Sequence, residues 1–220
     1  MTTPATPAPD PASSDDDEAL GPLAHQGTPE RLTALSDGIF SIAMTLLVLD
    51  VRVAPDLDDR AFHQALADTW PNVLAYALSF AILGGFWRGQ RRILAHVHHV
   101  DGRLVWVTLT ELGAVALLPF PTALLSEYTH QSPAVALYSA AVALIALLHM
   151  ALWVSVWKRE HLRRLPITDH TGRWMAADMA ATVAVTGVAV PIAFLSPQAA
   201  MWSWLALWPL KAFIGRELKS

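Results

Sequence analysis

The 220-residue chain is 54% apolar and only 15% charged, and it contains no cysteine. Disulfides, thiolate nucleophiles and thiolate metal sites are therefore excluded. Its net charge of −4 conceals acids and bases segregated along the chain, and basic patches divided by long apolar runs do not form a surface for nucleic acid.

Residues 1–29 are rich in Pro, Ala, Ser, Thr and Asp, with an acidic run from Asp15 to Glu18. Such a composition buries too little apolar surface to offset ordering entropy, so a disordered tail is predicted. It lacks the basic start and early apolar core of a signal peptide, so the first apolar segment is expected to be retained. The remaining ~190 residues are enough for six membrane crossings of about 20 residues each joined by short loops.

In chain order, apolar segments fall near 33–53, 71–89, 103–126, 133–157, 174–195 and 198–214. The first runs to Arg52 and Pro55. The second opens at Trp70-Pro71, where proline suits a first helical turn. Pro119 and Pro121 are expected to kink or thin the far end of the third, Pro133 starts the fourth, and Pro191 with Ser196-Pro197 separates the fifth from a short sixth. Several of the nine tryptophans sit at span ends, as interfacial anchors do. The fold class expected is all-α, polytopic, with six transmembrane helices in a domain over residues 30–220. With an internal N-terminus, thirteen of the fifteen lysines and arginines fall on one side and only Arg52 and Arg60 on the other. The positive-inside rule then places both termini in the cytoplasm of a cell-membrane protein, which requires an even number of spans.

The first span carries an anomaly. Asp37 sits inside the apolar run Arg31–Leu49, where an ionised carboxylate costs ~2.5–3.5 kcal/mol on insertion scales. Stepping about 100° per residue from Ile42, Leu35, Gly38, Thr45, Leu46 and Leu49 gather on one stripe. Asp37 lies about 140° away, with Ser36 and Ser41 to either side. Periodicity alone makes such a stripe ordinary helix or lipid contact; the acid opposite it is what asks for a further role.

The residues themselves carry a resemblance. Arg31-x-x-x-Leu35-Ser36-Asp37 resembles the R-x-x-x-F-S-D first-helix signature of the transmembrane protein 175 family of potassium channels. Tyr76, Ser79-Phe80 and Trp87 resemble its second helix; Asp101 to Trp106 and Leu118-Pro119-Phe120-Pro121-Thr122 resemble its third. The resemblance implies a pore lined by the first helices of a homotetramer, conducting potassium passively and surrounded by membrane lipids, with no cofactor, metal or catalytic residue. By position Ile42, Leu46 and Leu49 match the family's hydrophobic pore layers and Thr45 its threonine layer. Arg31, Ser36, Asp37, Trp87, Trp106 and Thr108 match a network bracing the pore helix. Leu35 replaces the motif's Phe, Gln90 and Arg91 stand where the family has a His pair, and Thr108 stands where it has Asn. No T-V-G-Y-G filter is present. Selectivity would have to come from a ring of aliphatic side chains that gates by dewetting and partly strips the ion.

Two rival chemistries are written in the same sequence. Asp37, Glu111 and His149 could serve a proton-coupled secondary transporter, since intramembrane ionisable groups are functional candidates by default; structural pairing within the bundle is the preferred reading for Glu111, His149 and Asp178. His96, His98, His99 and Asp101 form H-x-H-H-x-D, a set that could bind a divalent metal or act as a base, although a solvated connection is the plainer reading.

Overall fold

The computed structural model describes residues 29–205, and within them the chain is built from helices joined by short turns. These are α1 (Pro29–Leu46), α2 (Asp59–Asp68), α3 (Trp70–Ala95), α4 (Gly102–Leu117), α5 (Pro119–Glu127), α6 (Ser132–Lys158), α7 (Asp169–Leu195) and α8 (Pro197–Leu205). Among the described residues, five helical segments are long and apolar enough to cross a membrane. The molecule is an all-α, multi-pass membrane protein. The acidic tail and the greater part of the predicted 198–214 span lie outside the described residues.

Local chemistry sets most boundaries. Asp58, Asp101 and Thr168 cap α2, α4 and α7 by accepting from the backbone N–H three residues on, satisfying one of the free donors at each helix start. Prolines occupy the first turns of α3, α5 and α6, where no donor is lost. Within α1, Thr33, Ser36 and Thr45 donate their hydroxyls to the carbonyls of Pro29, Leu32 and Ile42. A hydroxyl satisfied by its own helix can sit at membrane depth without a partner elsewhere.

Several boundaries differ from the sequence expectation. The first span leaves α-geometry at Leu46 and finishes as a tight 3-10 turn over Leu47–Asp50, short of Arg52. The Asp50 carbonyl there accepts from the Asn72 side chain at 3.0 Å, which ties the turn to the start of α3. The connection to the second span folds as the amphipathic helix α2, which periodicity over so short a polar stretch did not announce. The third span breaks at Leu118 into α4 and α5, as its prolines require. By contrast Pro191 is carried inside α7, which ends only at Ser196; neighbouring helices can re-satisfy the carbonyl a proline frees.

The helices close around two buried layers. One joins Phe40, Leu47, Leu83, Leu112, Tyr138 and Ile145; the other joins Leu32, Ile93, Leu104, Trp153 and Val156 towards the end holding the basic residues. α1 lies against α3 and α4, α6 packs most extensively on α7, and α7 also holds α8. Between α3, α5 and α6, Ser79 Oγ lies 3.0 Å from both Thr122 Oγ1 and Tyr138 Oη, a closed hydroxyl cluster in the apolar interior. At the basic end the two connections are stitched together: His98 N–H donates to the Leu162 carbonyl at 2.7 Å and Arg164 N–H to that of His96 at 2.9 Å.

Candidate pore-lining face and its brace

α1 and the 3-10 turn that follows it are buried along one side only. Leu32, Ser36, Phe40, Ala43 and Leu47, spaced by three and four residues, are covered by the chain's own helices. The opposite side is uncovered in the single chain: Leu35, Ile42, Leu46 and Leu49 are 44%, 60%, 41% and 52% exposed, and Gly38, Ser41 and Thr45 are exposed beside them. Large aliphatic residues left bare along a whole helix face mark a surface that meets something apolar, another subunit or lipid.

Asp37 ties α1 to α3. Its Oδ1 accepts from the Trp87 indole N–H at 2.8 Å, and its Oδ2 lies 3.4 Å from the Arg91 guanidinium. Arg91 in turn sits 5.6 Å from the centre of the Trp87 ring. Trp87 and Arg91 are one helical turn apart on α3, so one face of that helix supplies both donors. A hydrogen bond to a charged acceptor contributes ~1.5–3 kcal/mol. The ion pair, with both side chains more than a third exposed, adds at most ~1 kcal/mol. The bond to Trp87 is therefore the stronger half of the brace.

Among the described residues, none of the others expected in this network makes a side-chain hydrogen bond or ion pair to Asp37. Ser36 is buried but donates to the Leu32 carbonyl of its own helix. Arg31 is exposed and, among the described residues, makes no ion pair. Trp106 points outward from α4, 72% exposed, and Thr108 is fully buried with its hydroxyl unpartnered. Gln90 is buried with neither end of its amide hydrogen-bonded. Arg91, singled out only as a departure from the resemblance, supplies the second donor to Asp37. The signal that could have found it is its position four residues after Trp87.

A second polar pair is sealed within the bundle. His149 Nδ1 of α6 lies 2.6 Å from Glu111 Oε1 of α4, with both side chains almost wholly buried. Phe86 meets the imidazole edge-on, its ring centre 5.5 Å away. Gly89 makes the approach possible, since a Cβ at that position would fall 2.5 Å from His149 Nε2. The histidine-rich connection divides its members among different tasks. His96 caps the end of α3, while Asp101 caps α4 and pairs with Arg159. Among the described residues no group of three or more His, Asp or Glu is placed to hold a metal.

Comparison with known proteins shows what the chain is similar to. Residues 31–119, which contain most of α1, Trp87, Arg91 and α4, match the family described as endosomal/lysosomal potassium channel TMEM175. A protein named potassium channel from Streptomyces collinus is 37% identical over 136 residues, covering 60% of this chain and 66% of that protein. One with the same name from Chamaesiphon minutus is 36% identical over 128 residues, covering 56% and 63%. The matched region thus spans just under two thirds of these relatives. The crystal structure of a lysosomal potassium-selective channel TMEM175 homolog from Chamaesiphon minutus superposes with a TM-score of 0.72 at 25% identity, covering 87% of this chain and 98% of that one. Those relatives are named as channels, and the first helix with its contacts to α3 lies inside the matched region, so over residues 31–119 this chain is similar to the TMEM175 family and its fold is similar to that of a solved TMEM175 homolog.

Proposed function

We propose that the protein is a potassium-permeable channel in which α1 from several copies, four by the family resemblance, surrounds a central pathway. The observation that carries this reading is the bare aliphatic face of α1 set against a buried face, on a helix that Asp37 ties to α3. Ile42, Leu46 and Leu49 would form successive constrictions and Thr45 a ring of hydroxyls between them. A ring of aliphatic groups excludes bulk water and makes an ion shed part of its shell; potassium gives up water more readily than sodium, so it passes preferentially. Thr45 donates its proton to the Ile42 carbonyl at 2.9 Å, which leaves the hydroxyl oxygen lone pairs to face a cation. Asp37 is held by α3 and Glu111 by His149, so each carboxylate of the rival proton-coupled scheme has a bracing partner of its own. Purified protein in liposomes is expected to pass potassium down its gradient without a co-substrate. Absence of passive flux over a range of voltage and pH would overturn the proposal.

The orientation proposed places both termini and the basic connections, including Arg91, Arg92, Arg163 and Arg164, on the cytoplasmic side of the cell membrane. The support is the thirteen-to-two division of lysine and arginine. Epitope tags at the two ends of the chain are expected to be protease-accessible only in inside-out vesicles. Cleavage of either tag from the external side of intact cells would refute this orientation.

A further inference from the structure

A cavity of about 660 Å³ opens between α3, α6 and α7, within the ~300–1,000 Å³ of small-molecule sites. We propose that it binds an anionic phospholipid of the leaflet at the basic end of the bundle, with Arg88 and Arg92 holding the phosphodiester and an acyl chain lying along the apolar wall. The order of residues along α3 carries the argument. Arg92 and Arg88 line the cavity near the end of that helix, and Gly85, Ile82 and Ala81 line it successively deeper, a run of about 16 Å at 1.5 Å per residue. Along α3, charge is thus confined to one end and aliphatic wall to the other, the polarity of an amphiphile. Val142 and Ala146 of α6 and Met179 of α7 continue the apolar side. The cavity is open at the surface of the described bundle, where Arg88, Arg92, Ala81 and Gly85 are all exposed.

The charges facing the cavity sum in favour of an anion. Two guanidinium groups stand against the single carboxylate of Asp178, itself partnered within the chain, and His149 at the floor is committed through Nδ1 to Glu111. Guanidinium binds phosphate by paired hydrogen bonds, and basic pockets between membrane helices take lipid headgroups. A small soluble anion would use the arginines but leave the apolar wall bare. The absence of a side chain at Gly85 opens that wall, since a Cβ there would meet nothing within 4 Å. Lipid seated here would press on α3, the helix whose adjacent face holds Asp37 through Trp87 and Arg91.

Native mass spectrometry of the delipidated full-length protein, titrated with phosphatidylglycerol or phosphatidylcholine, tests the site. Phosphatidylglycerol is expected to be retained preferentially, and the double variant Arg88→Gln/Arg92→Gln to weaken its retention about tenfold. Arg103→Gln, an exposed arginine outside the cavity, should leave retention unchanged. Gly85→Leu fills the wall without removing charge and should weaken retention as well, which keeps the test informative if the arginine variant fails to fold. Equal retention of both lipids, or wild-type retention by both cavity variants, overturns the proposal. Displacement of the lipid by inorganic phosphate, with no effect of Gly85→Leu, overturns it in favour of a free-anion site. The readout needs no ion flux, so its failure is distinct from failure of the channel reading.

Discussion

Replacing Ile42 with asparagine is expected to raise cation flux and to erode discrimination between potassium and sodium, with Leu46→Asn acting in the same direction. At 60% exposed, Ile42 is the barest of the large residues on its face of α1. In the proposed assembly its side chain would meet its own copies. An aliphatic ring holds a narrow segment dry, and the ion crosses it at the cost of partial dehydration. An amide at the same level wets the segment and offers oxygen to either cation, so the barrier falls and the two ions become harder to tell apart. A barrier lower by about 1.4 kcal/mol appears as about a tenfold larger flux. Ile42→Leu keeps the ring apolar and should stay near the wild type. Single-channel recording under bi-ionic potassium/sodium conditions measures both quantities. Unchanged conductance and reversal potential in both asparagine variants would show that this face meets lipid, where an amide impairs insertion but alters no permeation.

The second large effect is expected at the sealed pair. His149→Leu removes the partner that Glu111 Oε1 has, and Glu111 Oε2 already lacks one. A carboxyl group then remains buried with nothing to satisfy it. Breaking a buried pair from one side costs ~3–5 kcal/mol, which in a chain of this length corresponds to a fall in unfolding temperature on the order of 10 °C. Replacing both members, Glu111→Leu with His149→Leu, removes the unsatisfied group together with its partner and is expected to recover most of the loss. Thermal unfolding in detergent, followed by tryptophan fluorescence, distinguishes the two. Equal destabilisation by the single and double variants would mean that the pair contributes packing volume and no coupled polar interaction.

The order and length of the apolar segments, the break caused by Pro119, the one-sided distribution of arginine and lysine, and the stripe on the first helix are all legible in the amino-acid sequence. Each depends on residues within a few positions of one another, where helical periodicity and backbone chemistry act directly. The same local reasoning misplaced the end of the first span and missed the helix over Asp59–Asp68, because the turn at Asp50 is held by Asn72 and a short polar helix has little periodicity to read. The resemblance groups Trp87 with Asp37, 50 residues apart, and the two are hydrogen-bonded; the contact of Arg91, one turn beyond Trp87, with the same carboxylate is not anticipated by it. Pairing within the bundle is the preferred reading of Glu111 and His149, but that they pair with each other, and that a gap opens between α3, α6 and α7, could not be deduced in advance. Such pairings depend on the rotation and depth of each helix relative to its neighbours, and those are decided only when side chains from distant segments compete for the same interior space.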